Sequence, residues 1–203
     1  MPEFESVRSL AHRLSTGEVS SQEVVSAALE KARASENVFV ELDESVLEIA
    51  SVVDRVRQSG IGIATLAGIP LTLKDLFDVR GQVTLAGSKA LSHAARPATD
   101  DCEVVASLRR GGLLFLGRVN MSEFAFSGMG MNPHFGTPKS IWDRETGRLP
   151  GGSSSGSAVS VAEGIVPATM GSDTAGSCRI PAAFNGIVGV KPSFNRLSLK
   201  GVY

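Results

Sequence analysis

The run GSDTAGSCRIP, residues 171–181, crowds small side chains around Ser177. Small neighbours let a carbonyl group approach the backbone, and successive N–H groups in such a turn form an anion-binding nest. That is the geometry a tetrahedral oxyanion requires, so Ser177 is a candidate nucleophile. It does not sit in a G-x-S-x-G elbow, because position 179 is arginine. Nor is a histidine base available in the α/β-hydrolase order, since His12, His93 and His134 all precede Ser177. Lys74 is the other candidate base. It closes the apolar run 69–73 and lies beside Asp75. Desolvation there would disfavour its ammonium and lower its pKa toward neutrality, and a neutral amine can accept a proton. Position alone favours a plainer role, a strand-end salt bridge to an acid.

A second unusual stretch, PGGSSSGS at residues 150–157, has the composition of a flexible linker. Its flanks argue otherwise, because the following residues are apolar and read as continuous core. A phosphate cradle fails on spacing: no lysine follows Gly156, and Gly151, Gly152 and Gly156 do not form a dinucleotide fingerprint. Cys178, beside Ser177, suggests a thiol nucleophile, but no histidine is placed by sequence to activate it. His134 sits in MNPHFGTP, which could border a pocket or be simply structural. Asn120 and Ser122 read as helix-capping residues. Met129 and Met131 suit an adaptable pocket wall or core filler equally.

These groups must be held by ordered elements. The chain has 203 residues, 42% hydrophobic and 20% charged, which suits a packed core in a single domain. A net charge of −1 gives no electrostatic reason for a nucleic-acid or membrane partner. No apolar run of membrane-spanning length and no secretory pattern is present, so a cytoplasmic location is expected. Cys102 and Cys178 stand alone, without disulfide or zinc spacing. Residues 20–35 read as an amphipathic helix with a Ser20/Glu23 capping box, and residues 43–60 as a second helix closed by Gly60. Residues 69–73 and 113–117 read as buried strands, 99–112 as a helix with acids first and arginines last, and 158–164 as a helix beginning in the serine-rich stretch. Residues 166–171 and 186–190 are two further strand candidates. Alternating strands and helices predict an α/β fold with both sheet faces covered.

Taken in order, LTLKD, PGGSSSGSA and GSDTAGSCRIPAAFNGIVGVKPS resemble the amidase signature family, and the intervening TDDCEVVASLRRGGLLFLGRVNMSEFAFSG fits its usual course. The resemblance runs from about Gln22 onward. It implies a mixed, largely parallel sheet flanked by helices, with residues 1–203 forming the N-terminal portion of the domain. It also implies a Ser–cisSer–Lys triad. The family's lysine falls on Lys74, its nucleophile on Ser177 and its bridging serine on Ser153, with Ser154 as the supporting neighbour. Thr174, Ala175, Gly176 and Ser177 match the segment whose N–H groups form the oxyanion hole. Asp173 and Arg179 flank this turn and read as a structural ion pair. The implied activity is hydrolysis of a carboxamide through an acyl-serine, with a small-molecule amide as substrate and no metal or cofactor. Alternatives are the glutaminase-type subunit of a tRNA-dependent amidotransferase, or a truncated, non-catalytic scaffold. The family's domain usually runs longer than this chain, so a compact form closing its core as a homodimer is also expected as an option. In PSFNR, Asn195 replaces the family's usual glycine, and asparagine tolerates the left-handed turn.

Overall fold

The computed structural model describes residues 5–92 and 95–203. One mixed sheet has the strand order β1-β3-β2-β4. Strand β2 (Pro70–Lys74) runs parallel to β3 (Leu114–Val119) and to β4 (Thr169–Met170), and β1 (Phe39–Leu42) pairs antiparallel with β3. Among the described residues six α-helices flank it: α1 (Val7–Thr16), α2 (Ser21–Ala34), α3 (Val46–Gln58), α4 (Glu103–Arg110), α5 (Ser155–Ala162) and α6 (Arg179–Asn185). The sheet is therefore mixed and largely parallel, as the family resemblance implies.

Side-chain alternation along β3 divides the core. Leu113 and Phe115 join a cluster with Leu10 and Leu14 of α1, Leu71 and Leu73 of β2, and Val105 of α4. Leu114 and Leu116 join a second cluster with Val25 and Leu29 of α2 and Val46 of α3. The alternation is then broken. Leu71 pairs with Phe115 but Leu73 pairs with Arg118, so β3 advances three residues where β2 advances two. Such a bulge re-aims the side chains beyond it. Gly117 sits at its centre with φ +149°, and a Cβ there would fall 2.1 Å from the Glu41 carbonyl oxygen of β1. Only glycine allows that approach.

Helix α5 packs closely against the sheet. Nearly every residue in it is buried, and most are serine, glycine or alanine. A Cβ on Gly156 would lie 2.5 Å from both the Asn120 nitrogen and the Val38 oxygen. Its N–H donates to Asn120 C=O at 2.9 Å. Ser160 Oγ meets Thr72 Oγ1 at 3.0 Å, so the helix and β2 share a polar seam.

The Ser20/Glu23 capping box is present, and Gly60 adopts φ +75° just beyond α3. Two sequence readings need correction. Residues 166–171 supply only the two-residue strand β4. Residues 186–190 form no strand: Val188 is 88% exposed and Val190 73%, so their apolar character does not mark a buried edge. The segment after Ser177, for which the sequence suggested no element, forms α6, which tolerates Pro181 in its first turn and ends at Gly186 with φ +68°. Phe194, Leu199 and Tyr203 continue the exposed apolar band. Among the described residues, no helix is long and apolar enough to cross a membrane.

Because the atoms facing Gly156 are backbone, they cannot rotate away from an added methyl group. Gly156→Ala is expected to destabilise the fold by about 2 kcal/mol or more, as overpacking against rigid neighbours does. Urea unfolding measures this, and a loss below about 0.5 kcal/mol would contradict the close α5–β3 contact.

Candidate active site

Lys74 ends β2 and points into the seam beneath α5. It is fully buried, and its Nζ lies 2.7 Å from Ser153 Oγ and 2.8 Å from Ser172 Oγ. No acid pairs with it among the described residues, which sets aside the strand-end salt bridge. Strand geometry explains why: neighbouring side chains face opposite ways, so Asp75 turns to the other face and pairs with Arg118 at 2.7 Å. Burial pushes the Lys74 amine down to about 7. Cys178 and Asp173 oppose that shift without cancelling it.

Ser153 lies in the loop that leads into α5 and follows a cis peptide bond from Gly152. The loop is gripped from both sides. Ser122 N–H donates to Ser153 C=O at 3.1 Å, and Gly152 N–H to Gly128 C=O at 2.8 Å. A Cβ on Gly152 would fall 2.6 Å from the Gly130 nitrogen, so the two backbones touch. Ser154 ties this loop to the segment carrying Ser172 and Ser177. Its N–H donates to Ser177 C=O at 3.2 Å, and its Oγ donates to Ser172 C=O at 3.3 Å. The structure thus brings Lys74, Ser153, Ser154 and Ser177 together. Among the described residues, no hydrogen bond joins Ser153 Oγ to Ser177 Oγ.

Asp173 organises the turn around Ser177. Its carboxylate accepts from the N–H groups of Gly176 (2.8 Å), Cys178 (3.1 Å) and Arg179 (3.3 Å), and from Arg179 Nε and Nη2 at 3.0 and 2.9 Å. The Arg179 guanidinium, helped by these N–H groups, holds the Asp173 carboxyl well below the usual carboxylate range. The Gly176 N–H is already committed to Asp173. Among the described residues, no hydrogen bond engages the N–H groups of Thr174, Ala175 and Ser177. Burial raises the Cys178 thiol, which keeps it protonated and a poor nucleophile.

Sequence reasoning missed Ser172. The available signal was its place in the same small-residue run, two residues past the end of β4. It also misread Asn120, which caps no helix; Ser122 does sit at the N-cap of the short 3-10 turn Glu123–Ala125, though its side chain makes no cap hydrogen bond. Asn120 Nδ2 donates to the carbonyls of Asn37 (2.9 Å) and Gly136 (2.8 Å), and Ser122 Oγ donates to Ser127 C=O at 3.2 Å. His134 Nε2 lies 2.9 Å from Glu123 Oε1. Glu123, Phe126 and Met131 line a cavity of about 440 Å³ that reaches Ser122, next to the Ser153 loop. Met131 is thus a cavity wall, whereas His93 lies outside the described residues.

Asp173 contributes stability that is present above the ordinary carboxylate pKa and fades as pH falls toward its depressed value. Asp173→Asn is therefore expected to lower the melting temperature at pH 7, with the difference from wild type shrinking below pH 4. An equal difference at pH 7 and pH 2.5 would show that the carboxylate's charge is not what holds the turn.

The family model described as Amidase matches residues 23–203. A glutamyl-tRNA(Gln) amidotransferase subunit from Chromohalobacter salexigens is 43% identical over 197 residues, covering 95% of this chain and 40% of that protein. A solved structure described as "An unexpected vestigial protein complex reveals the evolutionary origins of an s-triazine catabolic enzyme" superimposes with a TM-score of 0.93 at 37% identity, covering 98% of this chain and 44% of the other. Native peptide amidase from Stenotrophomonas maltophilia superimposes with a TM-score of 0.85 at 34% identity, covering 97% and 42%. The chain spans about two fifths of the length of the relatives it matches.

Proposed function

This chain belongs to the amidase family, and from that premise we propose that it carries the proton-handling half of an amide-bond hydrolase. Residues 1–203 are read as the N-terminal portion of such a domain. The observation that carries this reading is the buried, neutral-leaning Lys74 amine held 2.7 Å from Ser153 Oγ, with no carboxylate to charge it. In this scheme Ser177 Oγ attacks a carboxamide carbon. Its proton passes to Ser153 Oγ while the Ser153 proton passes to Lys74 Nζ. A hydroxyl can donate and accept at once, so one serine can bridge. The N–H groups of Thr174, Ala175 and Ser177 receive the oxyanion. Lys74 then returns its proton through Ser153 to the leaving amine, and water releases the acid from the acyl-serine. The scheme has the Ser177 side chain rotate toward Ser153 Oγ, across loops that the Ser154–Ser177 backbone bond already joins. The substrate is a small-molecule amide, and the scheme draws on no metal or cofactor.

The amidotransferase relative favours a second reading within the same chemistry, a glutaminase-type subunit that liberates ammonia from glutamine. Comparing ammonia release from glutamine with that from a panel of simple carboxamides separates the two.

A fluorophosphonate probe is expected to label Ser177, and Lys74→Ala is expected to abolish the label. The labelling rate should rise with pH, reach half its maximum near 7, and level off above. The sign follows from the base: below its pKa Lys74 is an ammonium and cannot accept the proton. A rate independent of pH down to 5, or no label on folded protein, would refute the lysine-base scheme, and the latter would favour a non-catalytic scaffold.

A further inference from the structure

The buried ion pair between Arg118 and Asp75 takes no part in the scheme above, yet both partners of the Lys74–Ser153 contact hang from it. Arg118 and Asp75 are 2% and 0% exposed. A pair this deep carries a large desolvation cost, which its own attraction often fails to offset, so it is weak evidence for stability and invites another explanation. Its geometry supplies one.

Arg118 reaches Asp75 only because of the bulge at Gly117. Regular alternation would send Arg118 to the face of Leu114 and Leu116, where the α2–α3 cluster lies. The extra residue pairs it with Leu73 instead, on the face Asp75 occupies. From there its guanidinium spans the loop that follows β2. Nε donates to Asp75 Oδ1 at 2.7 Å, Nη2 to Phe77 C=O at 3.0 Å and Thr84 Oγ1 at 3.1 Å, and Nη1 to Gln82 Oε1 at 3.3 Å. Asp75 in turn accepts from the N–H groups of Leu85 (3.4 Å) and Gly87 (3.0 Å).

Two paths lead from this staple to the site. One is a single peptide bond: Asp75 follows Lys74, so fixing Asp75 fixes the end of β2 from which the lysine projects. The other runs through the loop. Ala86 C=O accepts from Phe124 N–H at 2.9 Å, and two residues before Phe124, Ser122 N–H holds the Ser153 carbonyl at 3.1 Å. Along that path Ala86, Phe124 and Ala125 all adopt left-handed backbone, with φ of 50°, 49° and 57°. Non-glycine residues persist there only where their surroundings over-determine them.

We propose that the Arg118–Asp75 pair is a positioning device that sets the Lys74–Ser153 contact from both ends and keeps water out of it. The role rests on the catalytic reading of Lys74 and Ser153, but it is tested on the lysine itself. The charged and titratable groups around Lys74 are Asp173, Cys178 and Arg179 on the segment that carries Ser177, Arg118 on β3, and Asp75, the residue that follows it. The Ser153 loop contributes hydroxyls only. If the staple is cut, the seam loosens, water reaches the amine, and the ammonium becomes easier to form.

The experiment titrates the Lys74 side chain by NMR of lysine 13Cε in the full chain, assigned by its loss in Lys74→Ala, for wild type, Arg118→Met, Asp75→Asn and Arg118→Lys. Folding is checked by far-UV circular dichroism. The Lys74 midpoint is expected to rise by about one pH unit or more in Arg118→Met and in Asp75→Asn, as relief of burial allows. It is expected to return part of the way to wild type in Arg118→Lys, which keeps the charge but not the fork. On an amide substrate, the same two variants are expected to lose about 100-fold in kcat with KM little changed, the size of effect a misplaced catalytic group produces. A folded Arg118→Met protein with a wild-type midpoint overturns the proposal. Where Arg118→Met does not fold, Asp75→Asn, which keeps the shape of the side chain, decides by the same criterion. Wild type with a Lys74 midpoint near 7 but no Ser177 labelling would sink the hydrolase reading and leave the positioning role to be judged by the variants' midpoints.

Discussion

A primary amine kept from water and offered only hydroxyls is the constraint around which this molecule is arranged. A carboxylate against Lys74 would hold it as an ammonium. Ser153 and Ser172 can serve it in either protonation state, accepting from the ammonium or donating to the free amine. Burial then decides, and it favours the neutral form. The two hydroxyls come from separate segments that Ser154 ties together. The acid on the facing segment, Asp173, is occupied by Arg179 and three backbone N–H groups. Its charge is thereby spent on shaping the Ser177 turn.

Keeping water away requires backbones to come closer than ordinary side chains permit. Gly152 lies against Gly130, Gly156 against Val38 and Asn120, and Gly117 against Glu41. The serine-rich composition serves the same end. Ser157 and Ser160 of α5 are small enough to let the helix settle on β2, and their hydroxyls find carbonyl partners in Met170 and Ser157. A stretch with the make-up of a linker is thus among the most tightly packed parts of the chain, because every residue from Pro150 to Ser160 is buried.

The strongly patterned elements were legible in the sequence. The capping box, the helix closing before Gly60 and the apolar strands were readable because each depends on residues close in the chain. Lys74, Ser153 and Ser177 were readable as a constellation only through a long composite motif, since 79 residues separate the lysine from its serine partner. What escaped depends on contacts between distant segments. Strand β1 has four residues and acquires its role only beside β3. Ser172 looks like any serine in a turn until β4 delivers it to Lys74. Asn195, by contrast, could be read in advance: it takes the left-handed conformation that glycine would have occupied, with φ +60°.

The bulge at Gly117 was the least visible feature and bears on the most. Lys74 and Asp75 are adjacent in sequence and opposite in charge type, and in a turn they would pair. A strand sends them to opposite faces, so the sheet itself separates the amine from the acid. That separation would leave the buried Asp75 charge with only the N–H groups of Leu85 and Gly87 unless a cation arrived on its side. The extra residue in β3 brings Arg118 there, and the Glu41 carbonyl that fills the space over Gly117 keeps any larger residue from taking its place. One irregular step in one strand therefore lets two neighbouring residues hold different partners, an arginine for the acid and hydroxyls alone for the lysine.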